Sequence, residues 1–213
     1  MKDKKELATA LTCALKEYYP SALCSLDYKG DPWRLLVMGR LSAQCTDLRV
    51  NIVAKELFER WETPLALASA PLSEVEEVIR PCGLYKTKAK DIIAESKMLV
   101  YDFSGVLPNS MEKLLLFPGV GRKIANLLLG DIYSLPAIVV DTHCIRISRR
   151  MGLVDKDVTA PERIEKILSS LIEPSEQSDF CHRIVLLGRE FCTARKPLCE
   201  VCPLSCHCEK ISI

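Results

Sequence analysis

A short glycine-containing turn between two apolar segments has the residue types needed to bind a phosphate backbone. Pro118 ends the first segment, and Gly119 and Gly121 allow backbone conformations and close approaches that side chains would prevent. The N–H groups at the start of a helix lack partners within it and lie at its positive end, so a helix starting near Arg122 forms an anion site. The spacing predicts two helices joined by a hairpin that contacts nucleic-acid phosphates. The simpler alternative is an ordinary helical corner.

Lys123 follows directly and has two possible roles. It is either a further phosphate ligand or a nucleophile, and the second role requires a neutral amine. A helix N-terminus and the neighbouring Arg122 both disfavour the protonated amine. Asp141, in the segment Val-Asp-Thr-His, is a carboxylate that could accept the proton. The alternative for Asp141 is the N-cap of the following helix, which is the simpler interpretation from the residues alone.

Cysteines crowd the C-terminal segment of the chain. Of the 11 cysteines, five lie close together there: Cys192, Cys199, Cys202, Cys206 and Cys208. Cys206 is a geometric substitute for Cys208 in a set of four. Four thiolates in so short a span can hold Zn²⁺ or a [4Fe–4S] cluster, and the spacing does not decide between them. Most of the scattered cysteines are expected to be small buried hydrophobes.

Helical periodicity and capping residues dominate the rest of the sequence. Apolar residues recur at helical spacing, and the only clear β-branched run, Ala137–Val140, is too short to found a sheet. Expected helix starts and ends include Pro20, Asp31, Thr46, Gly83 and Gly152, with capping boxes at Ser73–Glu76 and Thr159–Glu162. We therefore predict an all-α protein of about ten short helices. These helices must position the hairpin, Asp141 and the cysteines.

Composition bounds the class of protein. The 213-residue chain is long enough to bury a substantial core, and its net charge of +1 says nothing for or against nucleic acid. No stretch approaches the roughly 20 apolar residues of a membrane span, and the N-terminus lacks the pattern of a signal peptide. The sequence therefore favours a soluble, cytoplasmic protein without membrane contact.

Six segments occur in an order that is typical of one known family. They are LSAQCTDLRVN (41–51), GLYKTKAKDI (83–92), FPGVGRKIAN (117–126), VDTH (140–143), LLGREFC (186–192) and the C-x6-C-x2-C-x5-C array. From about Trp33 to Cys208 the chain resembles the endonuclease III family of iron–sulfur DNA glycosylases, which have a helix-hairpin-helix motif.

This resemblance implies a fold of two all-α domains with the active site in the cleft between them. One is a six-helix bundle that contains the hairpin, at residues 25–135. The other joins residues 1–24 to 136–213 and carries the cluster. The family array implies that a [4Fe–4S] cofactor is held by Cys192, Cys199, Cys202 and Cys208. Cys206 is left without a ligand role.

The resemblance also implies a function in base excision repair. The expected enzyme is a bifunctional DNA glycosylase and AP lyase that removes oxidised pyrimidines, for example thymine glycol, from duplex DNA. Lys123 would be the nucleophile and Asp141 the second catalytic residue, and the strand would be nicked by β-elimination from a Schiff base. Residues expected to contact DNA are Gln44, Leu84, Gly119, Gly121, Arg122, His143, Arg195 and Lys196. Gln44 and Leu84 would fill the gap left by the extruded nucleotide. The partner would be double-stranded DNA with a damaged base or an abasic site, bound by a monomer, which in a bacterium would be nucleoid-associated.

The sequence departs from the family pattern at four positions: Cys45, Phe117, Ile124 and Cys144. Cys45 and Ile124 could alter the damaged-base pocket and so change the substrate more than the chemistry. The alternatives are a related glycosylase for mismatched or alkylated bases, a non-catalytic DNA-binding iron–sulfur protein, and a zinc-bearing DNA module.

Overall fold

Every regular element is a helix in the computed structural model of the chain, which describes residues 3–210. The α-helices of this part are α1 (Lys4–Tyr18), α2 (Pro32–Leu41), α3 (Asp47–Arg60), α4 (Pro64–Ala68), α5 (Leu72–Ile79), α6 (Tyr85–Tyr101), α7 (Met111–Leu114), α8 (Arg122–Tyr133), α9 (Thr142–Met151), α10 (Pro161–Leu171) and α11 (Gln177–Glu190). Short 3₁₀ helices cover Arg80–Cys82 and Pro174–Glu176. The predicted all-α class is confirmed. No helix within residues 3–210 has the length and hydropathy needed to traverse a lipid bilayer.

The chain divides into two compact units. One is Ser25–Tyr133, and the other combines the chain up to Cys24 with the chain from Ser134 onward. A compact unit need not fold independently. The predicted domains, 25–135 and 1–24 plus 136–213, therefore stay a prediction.

In the unit Ser25–Tyr133, α2 packs against both α6 and α8. A glycine permits the contact with α8, because a Cβ built on Gly39 would lie only 3.1 Å from Cγ2 of Ile124. At the other end of α2, the buried indole N–H of Trp33 donates to Ser96 Oγ of α6 at 3.0 Å. Helix α2 therefore fixes the start of α8, where Lys123 lies, relative to α6.

In the other unit, α1, α9, α10 and α11 share one apolar core. Its fully buried side chains include Leu11, Ile147, Leu168 and Ile184. Arg183 of α11 is also buried, and its guanidinium binds Glu176 at 2.9 Å and Asp179 at 2.7 Å. A second glycine brings α9 and α11 together, because a Cβ on Gly188 would lie 2.3 Å from Nδ1 of His143.

Several expected caps are confirmed, and two are wrong. Asp31 accepts from the N–H groups of Trp33 and Arg34, Thr46 accepts from that of Arg49, and Gly152 ends α9 with φ = 89°. The capping boxes predicted at Ser73 and Thr159 do not form. Helix α5 instead begins after Pro71, and α10 begins after Ala160, neither with a side-chain cap. Pro161 explains the second difference, because it occupies the first helical position, where its fixed φ suits a helix start. In α5 the N-cap is Pro71, so Ser73 already lies inside the helix.

Candidate functional site

The predicted hairpin forms between α7 and α8. After α7, the N–H of Phe117 donates to the carbonyl of Leu114 at 3.2 Å, and that of Val120 donates to the carbonyl of Phe117 at 3.1 Å. Gly119 has φ = +75°, a conformation that L residues rarely adopt. Helix α8 then begins at Arg122, so the first N–H groups of an α-helix follow directly on the turn.

An ion pair supports the hairpin from inside the unit. Arg40 Nε donates to Asp91 Oδ2 at 2.7 Å, and both side chains are mostly buried. A Cβ on Gly119 would lie 2.4 Å from Arg40 Nε and 2.9 Å from Asp91 Oδ2. Two features therefore require glycine at position 119: the positive φ and the closeness of the ion pair, which leaves no room for a Cβ. At Gly121, by contrast, a Cβ would meet no atom within 4 Å, so its surface is open.

Lys123 lies on the first turn of α8 and its side chain is exposed. The next residue, Ile124, packs on Gly39, and Ala125 and Asn126 are buried. The helix is thus anchored on the face next to the lysine. No hydrogen-bond or ion-pair partner of the Lys123 side chain occurs among residues 3–210, so its amine is available to a ligand.

Asp141 is the N-cap of α9, as its alternative interpretation predicted. Its Oδ1 accepts from the N–H of Cys144 at 2.7 Å. Within residues 3–210 this is the only hydrogen bond of the carboxylate, so Oδ2 can take part in chemistry while Oδ1 caps the helix. Lys123 belongs to the unit Ser25–Tyr133 and Asp141 belongs to the other unit.

His143 lies against Arg146 of its own helix and against Gly188 of α11. Its Nδ1 lies 3.1 Å from a guanidinium nitrogen of Arg146, and it packs on the backbone of Gly188. The same guanidinium donates to the carbonyls of Gly188 at 3.3 Å and Cys192 at 3.0 Å. These Arg146 contacts join α9 to the start of the cysteine segment. The predicted contact of His143 with DNA stays a prediction.

Gln44 and Leu84 share an unusual backbone conformation. Gln44 follows α2 with φ = 54°, and Leu84 precedes α6 with φ = 49°. Both side chains are exposed, and Leu84 keeps 55% of its surface in contact with solvent. A left-handed backbone is unfavourable for leucine, and the exposed Leu84 side chain buries too little surface to offset that free energy. Contacts of the neighbouring backbone must therefore stabilise this conformation.

The four predicted cysteine ligands line a single cavity. Cys192, Cys199, Cys202 and Cys208 all line one pocket that is partly open to solvent. The rest of the lining is mostly apolar, and it also includes Arg150, Ser205 and Lys210. Its apolar members are Ile147, Met151, Leu187, Phe191, Pro197, Leu198 and Leu204. Cys206 is exposed and does not line the cavity. The structure thus separates Cys206 from the other four, which the spacing alone did not.

The four cysteines provide the thiolate donors of a metal centre. Among residues 3–210, no three His, Cys, Asp or Glu side chains are close enough together to hold a metal ion as they stand. Burial raises the pKa of the Cys202 and Cys208 thiols, and neighbouring cysteines raise it further. Four thiolates at one pocket would carry a negative charge that a cationic centre must balance, and both Zn²⁺ and a [4Fe–4S] cluster accept four thiolate ligands.

Two basic residues lie in the loop between the first two of these cysteines. Arg195 and Lys196 are both exposed. Thr193 Oγ1 donates to the carbonyl of Lys196 at 2.7 Å, and Arg150 of α9 donates to the carbonyls of Thr193 at 2.7 Å and Ala194 at 2.9 Å. The loop is therefore anchored to α9 while its two charges face solvent.

Comparison with known proteins gives consistent results across the chain. Residues 37–174 match the HhH-GPD superfamily of base excision DNA repair proteins. The chain is 44% identical to endonuclease III of Synechocystis over 98% of its length and 94% of the relative's, and 39% identical to endonuclease III of Bacillus subtilis over 91% and 88%. A solved non-covalent endonuclease III–DNA complex matches with a TM-score of 0.91 and 38% identity, covering 99% of this chain and 97% of that one. A trapped covalent endonuclease III–DNA intermediate matches equally well.

Proposed function

Because the chain belongs to the HhH-GPD superfamily and, within it, to the endonuclease III family, we propose that it is a DNA glycosylase and AP lyase acting on oxidised pyrimidines in duplex DNA. The observation that carries the proposal is the exposed Lys123 on the first turn of α8, directly after the Gly119–Gly121 hairpin. A binding protein needs the hairpin, but it does not need an amine in that position.

The hairpin is the proposed contact to the DNA backbone. The open surface at Gly121 admits a phosphate close to the N–H groups that begin α8, and Arg122 adds a positive charge beside them. Arg195 and Lys196 supply a second phosphate contact from the cysteine loop. These contacts orient the duplex without selecting a base.

Substitution of the two glycines separates folding from DNA binding. We expect Gly121→Ala to keep its melting temperature but to bind an abasic-analogue duplex about 10- to 100-fold more weakly, because a methyl group displaces one or two charge-assisted hydrogen bonds to phosphate. Gly119→Ala should instead lose about 2 kcal/mol or more of folding free energy, because its methyl group collides with the Arg40–Asp91 pair at a positive φ. Thermal melting and fluorescence anisotropy measure the two effects. Equal losses of stability in both variants would contradict the assignment.

The damaged nucleotide must leave the base stack before it can react. Damaged bases pair and stack poorly, which lowers the free energy needed to extrude them. We propose that Gln44 and Leu84 occupy the space that the nucleotide vacates. Their exposure and fixed backbone conformation suit that role.

The proposed reaction begins with Lys123. Its neutral amine attacks C1′ of the sugar, a C–N bond forms, and the C1′–base bond breaks with its electron pair leaving on the base. Asp141 accepts the proton of the attacking amine or stabilises the cationic sugar. The ring then opens to a Schiff base, C2′ loses a proton, and the 3′ phosphate departs by β-elimination.

We propose that Cys192, Cys199, Cys202 and Cys208 hold a [4Fe–4S] cluster. When bound, the cluster supplies four iron–sulfur bonds that cross-link the loop. The apolar residues of the lining would limit the access of water to the cluster, and the bonds from Arg150 to the loop would keep Arg195 and Lys196 exposed to DNA. A monomeric state and a cytoplasmic, nucleoid-associated location stay predictions.

Cysteine variants test the ligand set. We expect Cys199→Ser to lose the visible absorbance of the cluster, most of its roughly four iron atoms per chain and its DNA affinity. Cys206→Ser is the matched control and should keep all three, because Cys206 is exposed and outside the cavity. Iron and sulfide analysis of the purified proteins measures the difference. Iron loss in Cys206→Ser, or stoichiometric zinc in the wild type, would contradict the assignment.

A direct assay tests the substrate class. The protein is incubated with matched duplexes containing thymine glycol, a uracil mismatch or an alkylated base, and both base release and strand nicking are measured. We expect release and nicking with thymine glycol alone. Base release only from one of the other duplexes would show that the enzyme acts on mismatched or alkylated bases instead. Ile124 and Cys45 would then be the first positions to substitute.

A further inference from the structure

A buried lysine lies behind both of the segments proposed to enter the DNA. Lys88 of α6 is 0% exposed. Its Nζ donates to the carbonyls of Leu41 at 2.8 Å, Ala43 at 2.7 Å and Cys82 at 2.9 Å. A protonated lysine has three N–H donors, so every one of them is used. A neutral amine has only two, and the three acceptors therefore favour the charged form although burial lowers the pKa of Lys88.

The three carbonyls come from two distant parts of the chain. Leu41 and Ala43 belong to the turn that ends α2 and leads into Gln44. Cys82 ends the 3₁₀ helix that leads through Gly83 into Leu84. One ammonium group thus joins the backbones of both segments at a single point. Burial raises the pKa of the Cys82 thiol, and the nearby thiol of Cys45, on the other segment, raises it further.

The backbone conformations at the ends of these segments need such support. Gln44 and Leu84 both have positive φ without being glycine, at 54° and 49°. A residue in the left-handed region is less stable by about 1–2 kcal/mol and persists only where its surroundings hold it. Because both side chains are exposed, side-chain packing cannot supply this support. The carbonyls that Lys88 binds lie one and three residues before Gln44 and two residues before Leu84.

We propose that Lys88 is a positioning residue that holds Gln44 and Leu84 as one preformed wedge, ready to fill the gap in the duplex. It does not touch DNA, and it acts by fixing both backbones before binding, so that no ordering of the wedge is needed when the nucleotide is extruded. This inference rests on the gap-filling role proposed above for Gln44 and Leu84.

The test compares Lys88→Met with the wild-type holoenzyme. Methionine keeps most of the length of the apolar stem and removes all three hydrogen bonds. The first probe is a duplex with a tetrahydrofuran abasic site opposite 2-aminopurine, whose fluorescence rises when the wedge unstacks it. The second is borohydride trapping at a true abasic site, carried out in duplex and in single-stranded DNA. A single strand has no gap to fill, so it reports only on the chemistry.

We expect Lys88→Met to lose most of the fluorescence rise and to be trapped about 10- to 100-fold more slowly in duplex DNA. Trapping in single-stranded DNA should stay within about twofold of wild type. Lys88→Gln, which keeps two donors, should recover part of the duplex activity. Ser96→Ala is the matched control, because it removes a buried hydrogen bond between α6 and Trp33 without touching either segment. It should keep the wild-type duplex to single-strand ratio.

Three results would overturn the inference. One is a wild-type fluorescence rise in folded Lys88→Met. Another is an equal slowing of trapping in duplex and single-stranded DNA, and the last is failure of both Lys88 variants to fold where Ser96→Ala folds. If the wild type unstacks 2-aminopurine but is never trapped, the proposed lyase function is wrong, and the fluorescence comparison still decides the role of Lys88.

Discussion

Lys123→Ala is expected to abolish strand nicking at abasic sites and to reduce base release by at least about 10⁴-fold, as removal of catalytic nucleophiles does in other enzymes. The reason is the absence of any other amine at the start of α8, since the neighbouring Arg122 stays protonated. Folding should be unaffected, because the exposed Lys123 side chain has no hydrogen-bond or ion-pair partner within residues 3–210 and alanine favours a helix. Single-turnover rates and thermal melting measure the two quantities.

Lys113→Ala is the matched control for this experiment. Lys113 is another exposed lysine of the same unit, on α7 just before the hairpin. We expect its removal to leave nicking within about twofold, with a small loss of affinity from the lost positive charge. Nicking by Lys123→Ala at the rate of the wild type would contradict the assignment of the nucleophile.

Two substitutions of Asp141 separate its capping role from its catalytic role. Asparagine is as good an N-cap as aspartate, so Asp141→Asn should keep the hydrogen bond to the Cys144 N–H and stay within about 0.5 kcal/mol of wild-type stability. Asp141→Ala should lose about 1 kcal/mol, because the cap is removed. Both should lower the single-turnover rate by about 10²- to 10⁴-fold, since neither retains a carboxylate.

Denaturant titration and single-turnover base release measure these effects on the same samples. The informative comparison is Asp141→Asn, whose fold is intact. Full activity in that variant would show that the Asp141 side chain only caps α9, and the proton acceptor for Lys123 would have to be another group.

Features that depend on local chemistry could be predicted from the sequence. The hairpin, the caps at Asp31 and Thr46 and the end of α9 at Gly152 each follow from a few adjacent residues. Asp141 was ambiguous because an N-cap and a catalytic carboxylate require the same residue type. The structure shows that it is a cap and leaves one oxygen without a hydrogen bond within residues 3–210.

Features that depend on long-range contacts could not be predicted. Lys86, Lys88 and Lys90 alternate along α6 and resemble a solvated face, yet Lys88 is buried and the other two are exposed. Its acceptors include a carbonyl 47 residues away in the sequence. Nothing in the local pattern indicates which of the three lysines turns inward.

The environments of two acidic residues of α6, Asp91 and Glu95, also could not be predicted from the sequence. Asp91 pairs with Arg40 beneath the hairpin, where only the fold brings α2 and α6 together. Glu95 is fully buried, and neither of its oxygens has a hydrogen-bond partner within residues 3–210. Burial raises the pKa of Glu95 well above its usual range, and the nearby Asp91 raises it further. A glutamate in α6 would be assigned to the surface from the sequence alone.

The central claim is that Lys123 forms a covalent bond to the sugar of a damaged nucleotide. Its most direct test is to incubate the holoenzyme with a thymine glycol duplex, add borohydride, and map the cross-linked peptide by mass spectrometry. The account predicts a protein–DNA adduct located on Lys123 and absent from Lys123→Ala. Base release without any adduct, or an adduct on another residue, would contradict it.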